Sequence, residues 1–199
     1  MPRENAQGER PAERLIAIGA SAGGVEALTS LVAELPADLP AAIVVVLHRS
    51  PDVPSRLANI LARAGPLPAM EARDGDLLQP GFILVAPPGY HLVISHGRAK
   101  LLDRPRVNWV KPIDALFQSC AHEYGPRLVA VILTGLLYDG SAGLIPVRKA
   151  GGVAVVQDPQ DAAHASMPQS ALDTAGADYC VPLSELAPLL VKLVSQGTN

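Results

Sequence analysis

The chain has 199 residues, long enough for one domain with a full core of its own. Hydrophobic residues make up 49% and charged residues 18%, and a net charge of −3 excludes a broad basic footprint for nucleic acid. No apolar run reaches the roughly 18–20 residues of a membrane span, residues 1–14 lack the apolar core of a secretory signal, and Cys120 and Cys180 have no C-x-x-C spacing; a cytoplasmic protein with two buried, reduced thiols is expected.

Residues 1–13 are polar and contain Pro and Gly, and are expected to form a disordered tail ahead of a domain at 14–199. The apolar run at 15–20 reads as a buried strand, and the apolar spacing of Val25, Leu28, Leu31, Val32 and Leu35 as a helix over 25–35. The β-branched run at 41–47 predicts a second buried strand, followed by a helix at 54–64 with proline at its start. Residues 82–86, 91–95 and 99–103 are short strand-like runs. Their links are too short for crossover helices, so this region is expected to be antiparallel hairpins. Helical spacing returns at 113–123, then a strand at 128–133, a helix at 140–150 and a strand at 153–157. A helix at 169–174, a strand at 179–181 and an amphipathic helix at 184–194 end the chain. This order predicts an α/β fold, a doubly wound three-layer sandwich with a mainly parallel sheet and an antiparallel hairpin excursion.

Ligand sites in such sheets lie beyond the carboxyl ends of the strands. Three strand ends carry reactive groups: Ser21 after 15–20, His48 after 41–47, and Asp139 in the loop after 128–133. Serine needs a base within hydrogen-bond reach, and that base needs a third group to orient it. The expected roles are Ser21 as nucleophile, His48 as general base and acid, and Asp139 as the group that orients the imidazole. The glycines at 19, 23 and 24 permit a sharp turn, and the N–H groups of Ala22 or Gly23 are candidate oxyanion donors. Each residue also has a plainer reading: a helix cap or phosphate cradle at Ser21, a loop residue at His48, and at Asp139 the N-cap of the helix that follows. Asp114, Asp158 and Asp161 are rivals for the third position, Asp158 the strongest because it too ends a strand. His91, His96, His122 and His164 form no metal-ligand spacing, so neither a metal nor a cofactor is expected. Gly19-Ala-Ser-Ala-Gly23-Gly24 is a poor dinucleotide fingerprint, because Ser21 takes the second glycine position and the second strand ends in His48-Arg49 rather than an acid.

Five blocks occur in order: Ile-Gly-Ala-Ser21-Ala-Gly-Gly, Leu-His48-Arg-Ser-Pro, Ile83-Leu-Val-Ala-Pro-Pro-Gly89, Ile132-Leu-Thr-Gly-Leu-Leu-Tyr-Asp139-Gly-Ser-Ala-Gly143, and Val156-Gln-Asp-Pro with Ala165-Ser-Met167-Pro168. Together they resemble the catalytic domain of CheB-type chemotaxis protein-glutamate methylesterases. The resemblance implies hydrolysis of glutamate γ-methyl esters, and deamidation of certain glutamines, on the cytoplasmic helices of chemoreceptors. The family's triad falls on Ser21, His48 and Asp139. Departures from the pattern surround these residues. The family's Thr-Gly-Met-Gly and one variable residue precede the aspartate, whereas Leu136, Leu137 and Tyr138 fill the last three places here. A stiffer or reshaped loop and a narrower pocket are expected. Gly-Met-Pro becomes Ser166-Met167-Pro168, and the Arg-Pro-Ser-Val-Asp block is replaced by Lys111-Pro112-Ile113-Asp114. Typical members also carry an N-terminal receiver domain. The residues before the first strand are too few for one, so either the chain is a stand-alone member or it is cut from a longer protein; the first is expected, with activity that acetyl phosphate does not change. Two other readings fit the same residues: a module of this fold that binds a receptor or kinase, and a serine esterase for small molecules.

Overall fold

Apolar runs rich in Ile, Val, Leu and Ala form strands buried on both faces, as a parallel sheet covered by helices requires. The computed structural model describes residues 11–48, 56–103 and 111–195. Its elements run β1 (Leu15–Ala20), α1 (Gly24–Ala33), β2 (Ala42–Leu47), α2 (Leu57–Ala64), β3 (Ala69–Glu71) and β4 (Ile83–Val85). There follow β5 (Tyr90–Ser95), β6 (Arg98–Asp103), α3 (Pro112–Tyr124), β7 (Leu128–Ile132) and α4 (Leu144–Lys149). The chain ends with β8 (Val153–Gln157), α5 (Ser166–Ala175), β9 (Tyr179–Val181) and α6 (Leu183–Ser195). The main sheet has the order β3-β4-β2-β1-β7-β8-β9, with every pair parallel. β5 and β6 form a separate antiparallel pair. The expected doubly wound sandwich with its antiparallel excursion is the fold observed.

Strand alternation sorts the core into two layers. Ile16, Ile18, Ile43, Val45 and Val131 pack with α1, α2 and α6 on one face. Ala17, Val44, Val46, Ala130 and Ile132 pack with α3, α4 and α5 on the other. Phe117 of α3 is fully buried in that second layer, and truncating such a side chain to alanine costs about 3–5 kcal/mol. The helices that follow β1 and β2 lie on one face, and those that follow β7 and β8 on the other. Strand order therefore reverses between β1 and β7. At such a switch point the connections diverge and leave a crevice at the strand ends.

Several expectations are corrected. Residues 82–86 do not join a hairpin: β4 pairs in parallel with β2 and with β3. Short links exclude crossovers only after β4; before it, α2 supplies the crossover from β2. β3 lacks a signal because three residues, Ala-Met-Glu, show no period. The helix expected over 140–150 starts at Leu144, and α2 starts at Leu57, residues 54 and 55 lying outside the described residues. Residues 1–10 of the expected disordered tail also lie outside them. Ala12, by contrast, is buried and donates its N–H to Leu78 O at 2.7 Å, so the ordered chain begins before residue 14. Cys120 is buried as expected, whereas Cys180 is exposed on the edge strand β9. No helix among the described residues is long and apolar enough to cross a membrane.

Candidate active site

His48 follows β2, and its N–H donates to Ala20 O at 3.0 Å, extending the β1–β2 ladder by one residue. This seats the imidazole beside the end of β1. Its Nε2 meets Asp139 Oδ2 at 2.5 Å, with the His48 side chain 29% exposed and that of Asp139 2%. The carboxylate is held from behind. Ile113 N–H donates to Oδ2 and Asp114 N–H to Oδ1, each at 3.0 Å. Both donors belong to the first turn of α3, where N–H groups have no partner within the helix. Asp139 is therefore a cap, but of α3 and not of the helix that follows it in sequence. A carboxylate on Nε2 favours the tautomer with the proton on that nitrogen, and in that tautomer Nδ1 keeps the lone pair that can act as a base.

The start of α3 fits this place because glycines surround it. A Cβ on Gly19 would lie 2.4 Å from Ile113 Cγ2, and one on Gly140 would lie 2.7 Å from the same atom and 2.4 Å from Ile132 Cδ1. Gly140 also has φ +90°, which a side chain disfavours. Asp114 completes the joint: its Oδ1 accepts the N–H of Gly143 at 2.6 Å, so α3 grips both the Asp139 carboxylate and the far end of its loop. Burial raises the pKa of the Asp114 carboxyl above its ordinary value, and nearby Asp139 adds to the rise against the Gly143 N–H and Lys111.

Ser21 closes β1. Its N–H donates to Thr134 O at 3.0 Å, and Gly24 N–H donates back to Ser21 O at 2.9 Å as α1 begins. Ser21 is half-buried, and no hydrogen bond engages its Oγ among the described residues. The N–H groups of Ala22 and Gly23 likewise have no acceptor there. The structure thus joins His48 to Asp139 directly and sets Ser21 on the same sheet edge, one strand from each. The rival acids are occupied elsewhere. Asp158 Oδ1 accepts Gln160 N–H at 2.8 Å, and Asp161 Oδ2 accepts Leu183 N–H at 2.8 Å and Gln157 Nε2 at 2.9 Å. Asp114 serves Gly143.

Thr134 escaped the sequence reading. Its Oγ1 donates to Ala22 O at 3.0 Å and accepts His164 N–H at 2.8 Å, while its N–H meets Gln157 Oε1 at 2.9 Å. It staples the Ser21 turn to the loop after β8. A buried polar residue ending an apolar strand was the available signal, the same one that marked Ser21 and His48.

A sequence model described as CheB methylesterase matches residues 16–190. The chain belongs to that family. The protein-glutamate methylesterase/protein-glutamine glutaminase of Symbiobacterium thermophilum is 38% identical over 98% of this chain and 54% of its own length. A similarly named protein from Moorella thermoacetica is 39% identical over 94% of this chain and 46% of its own. The chain thus spans about half the length of these relatives. A putative member from Leptospira interrogans is 37% identical, covered over 93% of its length. The crystal structure of the Thermotoga maritima CheB methylesterase catalytic domain superposes with a TM-score of 0.84 at 33% identity, over 91% of this chain and 98% of that one. That likeness accounts for the parallel sheet with its added hairpin as a family architecture.

Proposed function

We propose that this chain is a protein-glutamate methylesterase that works through Ser21, His48 and Asp139. The observation that carries the proposal is the His48–Asp139 contact at 2.5 Å, with the acid seated on the first turn of α3 and, on the adjacent strand end, a serine whose hydroxyl makes no hydrogen bond among the described residues. The names of the relatives support the choice of ester.

In this reading Ser21 Oγ attacks the γ-carbonyl of a methylated glutamate while His48 Nδ1 takes the hydroxyl proton. Asp139 accepts from the other ring nitrogen and keeps the imidazole turned for that transfer. The tetrahedral oxyanion draws on the N–H groups of Ala22 and Gly23. The C–O bond to the methoxy group then breaks, His48 returns its proton to that oxygen, and methanol leaves an acyl-serine. A water deprotonated by His48 attacks the acyl carbon, and the proton goes back to Ser21 as the glutamate carboxylate departs. A glutamine follows the same course with ammonia as the leaving group, so deamidation requires no added machinery. The substrate is a methylated glutamate on the cytoplasmic helices of a chemoreceptor or a related signalling protein, which places the enzyme in the cytoplasm.

The test is methanol release from a methylated chemoreceptor cytoplasmic fragment by wild type and by Ser21→Ala. Release that disappears in the variant is the expected result. Equal release by both would defeat the mechanism, and none from wild type would defeat the choice of substrate.

A further inference from the structure

Among the described residues, the three most exposed large apolar side chains are consecutive: Leu136, Leu137 and Tyr138, at 51%, 73% and 55% exposure. They lead directly into Asp139. Apolar residues scattered singly over a surface need no explanation, but a contiguous group beside a catalytic centre marks a contact surface. Leu137 is the most informative of them. Its φ is +67°, a left-handed conformation that disfavours any side chain and that usually accompanies function when it persists. The loop holds it there all the same: Leu137 N–H donates to Ser166 Oγ at 3.1 Å, and that hydroxyl donates to Gly135 O at 3.2 Å. Next to it, Lys111 Nζ lies 2.9 Å from the centroid of the Tyr138 ring and fixes that side chain in turn. A strained, anchored leucine facing solvent contributes nothing to the core.

We infer that Leu137, flanked by Leu136 and Tyr138, is a specificity-determining residue that packs on an apolar side chain one helical turn from the esterified glutamate. This rests on the methylesterase reading above. The occupant follows from position. Leu136, Leu137 and Tyr138 immediately precede Asp139, which contacts His48, so this exposed loop adjoins the place where a glutamate side chain would be delivered. On a helix, the residues three and four positions from the glutamate share its face at about 5–6 Å, and one of them is the side chain assigned to Leu137. Tyr90, also exposed, lines the small cavity at His48.

The experiment compares wild type, Leu137→Gly, Leu137→Asn and Leu137→Met on a methylated chemoreceptor cytoplasmic fragment, with KM and kcat read from methanol release and Tm recorded for each. Glycine relieves the backbone and asparagine tolerates it, so neither is expected to lower Tm. Both are expected to raise KM about tenfold, the loss of one buried leucine contact, while kcat falls by no more than about twofold. Met is expected to keep the wild-type KM. An unchanged KM in the Gly and Asn variants overturns the inference, as does a fall in kcat alone, which would make Leu137 a prop for Asp139. If wild type itself releases no methanol, the methylesterase reading falls and carries this inference with it. A wild type that works beside variants that match it removes this inference alone.

Discussion

The two sides of the candidate site are built in opposite ways. On the acid side, Asp139 is buried, its two oxygens meet three partners, and Asp114 ties down the loop that carries it. On the nucleophile side, the Ser21 backbone is fixed by Thr134, yet its hydroxyl has no hydrogen bond among the described residues. In the proposed mechanism, the base His48 and its orienting acid Asp139 are assembled before substrate arrives, whereas the Ser21 hydroxyl is left free for it. Preorganisation lies in the buried carboxylate and the ring it holds.

Substitutions can separate the two sides. Ser21→Ala should cost on the order of 10⁶ in turnover on the methylated fragment and leave Tm within a degree or so of wild type, because no hydrogen bond is lost. A large fall in Tm would show that the hydroxyl has a structural partner. Asp139→Asn should cost about 10⁴ in turnover, and unlike the serine variant it should also lower Tm. Both oxygens face backbone donors, so an amide must point its NH₂ at one of them. A buried donor left unpaired costs about 1–3 kcal/mol, and each kcal/mol corresponds to about 2–4 °C in a chain of this size. Thermal melts of the two variants side by side make the comparison; equal Tm values would break it.

Gly140→Ala probes the joint itself. The added carbon would press on Ile132 and Ile113 in a backbone conformation that disfavours it. A loss of about 1–3 kcal/mol in stability is expected, with kcat/KM down by as much as about 10²-fold as the acid shifts. A variant with lowered stability and full activity would show that the Asp139 position tolerates movement of its loop.

The smallest effect concerns Asp114. Burial raises its pKa in the folded protein, so the folded state binds this proton more tightly than the unfolded state. The associated stability is fully present below about pH 4 and is lost as pH rises through the raised folded value. In Asp114→Asn the Gly143 contact keeps its acceptor but the titration is gone. Unfolding free energies measured against pH should therefore fall across that window in wild type relative to the variant. Parallel curves would mean that the carboxyl titrates alike in both states.

Much of the architecture was legible in the sequence because buried parallel strands announce themselves as apolar runs: β1 and β9 begin and end where the residues suggest. The triad candidates were legible for the same reason, since a polar residue that ends such a run stands out. Pairing was less accessible. Nothing local to residues 82–86 says that β4 enters the main sheet, because its partners β2 and β3 are distant in sequence. The pairing of Asp139 with His48 was legible, but the backbone donors that hold the carboxylate were equally hidden. The sequence offers an Asp-Gly before a helix, a local cap, whereas the helix that Asp139 caps begins 27 residues earlier, at Pro112. Local chemistry identified the carboxylate; only tertiary packing determines which N–H groups it meets.

The same helix has a mechanical meaning. α3 spans 13 residues, a rod of about 20 Å at 1.5 Å per residue. At one end its first turn holds the acid. Farther along, Ser119 Oγ accepts the N–H of Ile94 at 3.0 Å and Glu123 Oε1 accepts that of Gly97 at 3.1 Å, both from the β5–β6 hairpin. Asp139 is thus registered against the hairpin through a stiff strut, and the two cannot be displaced independently.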